Sequence, residues 1–264
     1  MIINVNLNDK ATKYMLLAVS SIALSSFFAK LCLNEISVYK TLFLRFVIPL
    51  IIIFFIYAVL GILNKLSCKN FKNHVIRSVF LTLSQLFLLY SMLKLPLSEA
   101  SALYNTGPIF MVFLLFIFGY KINLHCIGGV LIGLIGVLLI CHLQNSVINY
   151  NVFYALLSGI SYAISQLSFH KASFENESIN TLFFTYLLTT IFSVILFFCF
   201  DEKTFDLYVF DDNTIIFIFL IGLFSLSNQF FRCKAYSIAE NPSSLAPLVY
   251  LSSKKGKTAT KIIK

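Results

Sequence analysis

Charged residues are scarce in this sequence. Asp, Glu, Lys and Arg make up 12% of its 264 residues, about half of their share in ordinary soluble proteins. Tryptophan is absent, hydrophobic residues make up 59%, and the mean hydropathy is +0.88. This composition excludes a water-soluble domain.

Motifs of catalysis and of metal binding are also missing. The sequence contains no HExxH, no G-x-S-x-G and no Walker lysine motif, and its four histidines lie near separate loops or helix ends. The six cysteines form no CxxC or CxxxC pair, which argues against disulfides and a zinc site. We therefore expect no enzyme activity, no catalytic residue, no metal and no cofactor.

The formal net charge of +9 does not indicate nucleic-acid binding. Most Lys and Arg residues lie in short polar segments between apolar runs and form no basic face. The partners that we expect are the lipid bilayer and a small-molecule metabolite, without nucleic acid; a second copy of the chain, as a homodimer, stays open.

Apolar runs of about 20 residues, the length that crosses a bilayer as a helix, recur along the chain. They predict an all-α polytopic membrane protein with eight complete spans and a partial ninth near residues 243–251. The joints are short, so consecutive helices should be antiparallel neighbours. The eight spans lie at 13–33, 38–60, 75–95, 97–118, 122–142, 150–170, 180–200 and 214–234.

The basic residues predict a cytoplasmic N-terminus, because loops rich in Lys and Arg stay inside. In that orientation the outer side receives only Lys30, Lys40, Lys94 and Lys203. The inner side receives Lys10, Lys13, Lys65, Lys69, Lys72, Arg77, Lys121, Lys171, Arg232 and Lys234.

Two pairs of passages suggest an internal repeat. One alignment places Gln85 on Gln229, and the other places Ser37 on Ser178. The two offsets, 144 and 141, nearly agree, although chance similarity between apolar segments is the alternative. One period holds five spans, an odd number, so the second copy would be inverted in the membrane, as in many secondary transporters. The predicted units are a five-helix repeat at 13–142 and an incomplete one at 150–251.

Residues 252–264 form a lysine-rich tail that cannot continue a membrane helix. We interpret the abrupt change in composition as a truncation or frameshift. A basic tail that contacts anionic lipid is the alternative.

Five polar side chains within the predicted spans are candidates for substrate binding: Arg45, Gln85, Asn105, Gln166 and Gln229. Arginine inside a membrane either extends to the nearer surface or faces a cavity where it meets an anion. The buried amides need partners, which are either another helix or a solute and water. Both alternatives stay open for each residue.

The fourth span carries the sequence Asn105-Thr106-Gly107-Pro108 near its middle. A polar or broken backbone is tolerated at that depth only against protein or a water-filled cavity. This span is therefore expected to line a pathway.

The passages LPLSEASALYNTGPIFMVFLLFIFGYKINLHCIGGVLIGLIGVLLI, from Leu95, and KAYSIAENPSSLAPLVYL, from Lys234, resemble EamA-type carriers of the drug/metabolite transporter superfamily. The second passage is also similar, more weakly, to S-adenosylmethionine uptake carriers. The resemblance implies ten helices in two inverted five-helix repeats, both ends in the cytoplasm and a central cavity for small metabolites. Tyr120 stands where the family usually has an acidic residue.

These observations lead to the hypothesis of a bacterial inner-membrane carrier for small metabolites. The resemblance extends to S-adenosylmethionine or amino-acid-like solutes as substrates. Transport would occur by alternating access at a cavity near the midplane. The rival hypotheses are a truncated, inactive remnant and a membrane subunit that does not transport.

Overall fold

The computed structural model describes residues 9–61, 66, 68, 70–117, 128, 131–133, 135–137, 150–175, 178–201 and 212–238. Within this part of the chain all regular structure is helical. The eight helices are α1 (Asp9–Cys32), α2 (Val38–Val59), α3 (Phe71–Lys94), α4 (Leu97–Tyr104), α5 (Gly107–Ile117), α6 (Tyr150–Glu175), α7 (Ser178–Phe200) and α8 (Asp212–Ile238).

Seven of the predicted membrane spans are confirmed. Seven helical stretches are long and apolar enough to cross a bilayer, and α4 and α5 together form one of them, at Leu97–Ile117. Most of the predicted span at 122–142 lies outside the described residues. The predicted ninth span and the tail at 252–264 lie wholly outside them. The count of eight complete spans therefore stays a prediction.

Local sequence explains where α2 and α4 begin. Ser37 precedes α2 with extended backbone angles, and its side chain accepts a hydrogen bond from the Lys40 backbone N–H, which satisfies one of the donors left open at a helix start. Pro96 precedes α4, where its missing N–H costs nothing.

The fourth span is interrupted near its middle, at the polar sequence Asn105-Thr106. Helix α4 ends at Tyr104, a turn occupies Asn105 and Thr106, and α5 begins at Gly107. Pro108 has no N–H to donate to the carbonyl one turn before it, so a continuous helix would lose a hydrogen bond here. The backbone N–H of Thr106 instead donates to the Leu103 carbonyl.

Helices α1 and α8 pack against each other in an antiparallel arrangement. The Tyr14 ring stacks on Phe231 near the start of α1, and the Phe28 ring lies beside Phe217 near its end. Between them, Ser25 Oγ donates to the Ile221 carbonyl at 3.2 Å. Residue numbers thus increase along α1 in the direction in which they decrease along α8.

The pair α3 and α6 is also antiparallel. Ser165 Oγ donates to the Arg77 carbonyl at 3.0 Å, and the Phe87 ring stacks on Tyr154 at the other end. A third antiparallel pair consists of α2 and α7. Tyr57 hydrogen bonds to Asn180 at one end, and at the other Tyr39 stacks on Phe200.

Helices α4 and α5 run parallel to α6. The backbone carbonyls of Leu103 and Tyr104 lie close to Gly159, and further along Met111 and Leu115 cluster with Ala163. Thus α5 ends at the side of the bundle where α6 ends, and α6 begins at the opposite side.

The bundle places apolar side chains outside and polar ones inside. Phe54, Phe55, Phe116, Phe198 and Ile216 are among the large exposed side chains, whereas serines and threonines of α3, α6 and α7 are buried. This is the pattern expected of helices whose outer surface meets lipid tails and whose inner surface meets other helices.

Candidate functional site

A small cavity lies between helices α1, α2, α3, α4 and α8. It has room for about one water molecule. The lining side chains are Ile22, Arg45, Phe46, Leu81, Gln85, Tyr104, Ser225, Asn228 and Gln229.

The cavity is at mid-height of the bundle. At 1.5 Å per residue, Arg45 lies about 10 Å from the start of α2, and Gln85 lies about 13 Å from the end of α3. Gln229 lies about 13 Å from the end of α8. In a bilayer, residues at these distances from the helix ends lie well inside the hydrocarbon layer.

Arg45 is the charged side chain of this lining. It is 1% exposed, so it does not extend to the surface, one of the two alternatives that the sequence left open. Its Nε, Nη1 and Nη2 atoms have no hydrogen-bond partner among the described residues. The titratable groups that face it are the phenols of Tyr104 and Tyr186. Arg45 therefore presents an unpaired guanidinium to the cavity.

Gln85 and Gln229 line the same cavity from α3 and α8. The Gln85 Nε2 lies 3.5 Å from the Tyr104 hydroxyl, at the limit of a hydrogen bond, and its Oε1 has no partner in the described part of the chain. Gln229 is held more firmly, because its Oε1 accepts a 2.7 Å hydrogen bond from Arg77 Nη2. The two amides that the internal repeat pairs thus meet in one site.

Asn105 and Gln166 are buried but do not belong to the cavity lining. Asn105 lies in the turn between α4 and α5. Gln166 lies on α6, and neither atom of its amide group has a hydrogen-bond partner among the residues described. The structure therefore brings together three of the five predicted site residues.

Arg77 and Arg232, near the ends of the predicted third and eighth spans, are buried within the bundle. Arg77 is 0% exposed and Arg232 is 1% exposed. Both lie inside because α3 begins at Phe71 and α8 ends at Ile238, about one turn beyond the predicted spans. This extra turn moves each arginine away from the helix end.

These two arginines border the cavity through partners of their own. Arg77 donates to Ser165 and Gln229 and lies 4.2 Å from the centre of the Phe169 ring. Arg232 donates to Asn228 Oδ1 at 3.2 Å and lies 5.5 Å from the centre of the Tyr162 ring. Such ring contacts stabilise a buried cation.

Sequence reasoning missed several lining residues. Tyr104 is the last residue of α4, directly before the predicted Asn105, and its ring lies 4.7 Å from that of Tyr162. Ser225, near the Tyr186 hydroxyl at 3.4 Å, and Asn228 lie within one turn of the predicted Gln229. Residues three or four apart share a helix face, so this periodicity was the available signal for Ser225.

The arrangement is suited to binding a polar solute. Among the described residues, the lining offers a cation, three amides and two hydroxyl groups and includes no carboxylate, thiol or imidazole. These groups can donate and accept hydrogen bonds to a polar solute.

Comparison with known proteins agrees with this interpretation. The EamA-like transporter family matches residues 10–141, which is half of the chain. No curated protein sequence matches the chain. Together with the seven apolar helices, the match establishes a multi-pass membrane protein, and the chain belongs to the EamA-like transporter family.

Proposed function

We propose that this protein is a secondary transporter that carries small polar metabolites across the membrane through the cavity around Arg45. The observation that carries the proposal is a polar, buried site at mid-height of a bundle whose outer surface is apolar. Sites of this kind, between helices at the bilayer midplane, are typical of secondary transporters. S-adenosylmethionine and amino-acid-like solutes are the substrates that the sequence suggests.

Two hydrogen bonds support an inverted repeat. Ser25 donates to the Ile221 carbonyl, and Ser165 donates to the Arg77 carbonyl. The two serines are 140 residues apart and the two acceptors are 144 apart, close to the offsets found in the sequence. A contact from α1 to α8 is thus repeated from α6 to α3, as expected when two copies of one unit face each other in opposite orientations.

The directions of the described helices support a further crossing between Ile117 and Tyr150. Because α5 and α6 are parallel, the end of α5 and the start of α6 lie at opposite sides of the membrane. The chain must therefore cross an odd number of times between them. One crossing, at the predicted span 122–142, would complete a five-helix unit that closely coincides with the family match at residues 10–141.

Alternating access is the mechanism that this arrangement favours. The cavity lies between α1, α2, α3 and α4 of the first predicted repeat and α8 of the second. Rocking of one repeat against the other would open it first to one side and then to the other. We place the N-terminus in the cytoplasm of a bacterial cell, because Lys10, Lys13 and Lys72 lie at the side where α1 begins.

The test is uptake by proteoliposomes from a mixture of polar metabolites, with retained solutes identified by mass spectrometry. The full-length chain should accumulate at least one solute over protein-free liposomes. Gln85→Leu should reduce that uptake by about fivefold or more, because a lost hydrogen bond in a buried site costs about 1–3 kcal/mol.

The matched control is Leu223→Ala, on the outer face of α8, which should leave uptake unchanged. If the chain inserts and unfolds cooperatively but retains no solute, it is a membrane subunit without transport activity. Equal uptake by Gln85→Leu and the control would remove the cavity from the pathway.

A further inference from the structure

Arg45 carries a chemical preference that the transporter proposal leaves open. Its guanidinium is buried among helices, and no carboxylate lies beside it among the described residues: the titratable groups near it are the phenols of Tyr104 and Tyr186, and the other described lining groups are amide, hydroxyl and apolar. A buried charge without a partner is costly. An anion is the ligand that would relieve this cost.

The other two buried arginines strengthen the positive field. Arg77 and Arg232 bind Gln229 and Asn228, and both of these amides line the cavity. The partners that the structure gives to Arg77 and Arg232 include neutral amides, a hydroxyl and aromatic rings. Three guanidinium groups therefore surround a cavity whose described lining includes no acidic side chain, which disfavours a solute whose only charge is positive.

The shape of the site points to a carboxylate. Arginine presents parallel N–H donors in a plane, and these match the two oxygens of a carboxylate group. Around it, Gln85 Oε1, Ser225 and Asn228 can receive and donate hydrogen bonds to a polar remainder of the solute. Since the cavity has room for about one water molecule, binding would require α2, α3 and α8 to separate.

We propose that the solute bound here carries a carboxylate group, which pairs with Arg45. The claim that this bound solute is also transported rests on the proposed function. Purely cationic and neutral solutes are then poor ligands, whereas zwitterionic amino-acid-like molecules and organic acids are good ones.

The experiment is thermal unfolding of the purified full chain in detergent, read with a thiol-reactive dye that reports the buried Cys32 and Cys233. The probes are acetate, its neutral counterpart acetamide, L-alanine and chloride, each at equal ionic strength. A ligand present at about five times its Kd raises the unfolding temperature by about 2–4 °C for a chain of this size. We expect this shift with acetate and with L-alanine but not with acetamide.

Variants connect the shift to Arg45. Arg45→Met should lose the shift, and without probe it should unfold at the same temperature as the parent or higher, because an unpaired buried charge is removed. Arg45→Lys keeps the charge and should retain a smaller shift. Lys94→Gln removes an exposed charge at the end of α3 and should retain the full shift.

Several results would overturn the inference. With the parent protein, these are equal shifts in unfolding temperature with acetate and acetamide, or no shift with either acetate or L-alanine. With Arg45→Met, an undiminished shift would do the same. A lower unfolding temperature of that variant without probe would make Arg45 a structural residue. The same shift with chloride alone would assign the site to an inorganic anion.

Failure of this inference and failure of the proposed function are distinguishable. Binding that depends on Arg45 without uptake into proteoliposomes would refute the transporter and leave the carboxylate site. Uptake of neutral or cationic solutes that Arg45→Met does not change would refute the carboxylate site and leave the transporter.

Discussion

Single residues of the same type differ in role according to their partners. Arg77 donates hydrogen bonds to Ser165 on α6 and Gln229 on α8 and contacts the Phe169 ring. Arg45 has no such partners among the described residues. Arg77 therefore holds helices together, whereas Arg45 faces the cavity.

Arg77→Met should destabilise the protein by about 2–3 kcal/mol, because it removes two charge-assisted hydrogen bonds and leaves the Gln229 oxygen and Ser165 without their donor. Unfolding by titration with sodium dodecyl sulfate measures the effect. Lys94→Met, which removes an exposed charge from the same helix, is the control and should change stability by less than about 0.5 kcal/mol. Equal stability of the two variants would contradict this role for Arg77.

The sequence permitted prediction of some site residues because their type is unusual in their surroundings. Arg45, Gln85 and Gln229 are polar residues inside apolar runs, and each lines the cavity. Arg77 and Arg232 were not predicted as site residues, because they lie near the ends of such runs, where an arginine ordinarily extends to the surface. Helix α3 begins and α8 ends with a polar turn beyond the apolar run. Only these extra turns show that both arginines lie inside the bundle.

At the scale of helices, close approach depends on small residues. On α8, a Cβ added at Gly222 would lie 2.5 Å from Ile48 Cγ2 and 3.4 Å from Pro49 Cδ of α2. Neither neighbour can turn aside easily, because Ile48 is branched at Cβ and the ring of Pro49 is fixed. Gly222 thus allows α2 and α8, two of the cavity walls, to pack closely.

Gly222→Val should reduce stability by about 1–3 kcal/mol, the usual cost of forcing extra atoms into a packed interior. The same titration measures it. Gly136→Val is the matched control, because a Cβ at this helical glycine meets no atom of the described residues within 4 Å. A Gly222→Val protein as stable as the control would mean that the two helices do not touch there.

The broken fourth span was predictable at this scale, and the pairing of helices was not. Asn105, Thr106, Gly107 and Pro108 together predict a break from local backbone chemistry alone. Which helices lie side by side depends on the matching of surfaces far apart in the sequence, such as the contact of Ser25 with Ile221. Apolar periodicity carries little of that information, since the outward faces are apolar as well.

At the scale of the whole molecule, the parallel packing of α5 and α6 predicts the sidedness of the chain. Glu35 and Tyr150 should lie at one side of the membrane, and Phe71 at the other. In a cysteine-free background, Glu35→Cys and Tyr150→Cys should react with an impermeant maleimide from the same side. Tyr150, at 87% exposure, is well placed for such labelling.

Phe71→Cys should react from the opposite side and serves as the reference. Labelling of Tyr150→Cys together with Phe71→Cys would mean that the chain does not cross between α5 and α6. The proposed five-helix unit, and with it the inverted repeat, would then be wrong.

The most direct test of the carrier needs no knowledge of its substrate. In the same cysteine-free background, Ser225→Cys places a thiol in the cavity lining, and Leu223→Cys, whose parent side chain is 38% exposed, places one on the outer face of α8. A hydrophilic methanethiosulfonate reagent is added to either side of sealed vesicles of known orientation. Alternating access predicts that Ser225→Cys reacts from both sides and that Leu223→Cys reacts from neither. Reaction of Ser225→Cys from one side only, or from none, would contradict the account.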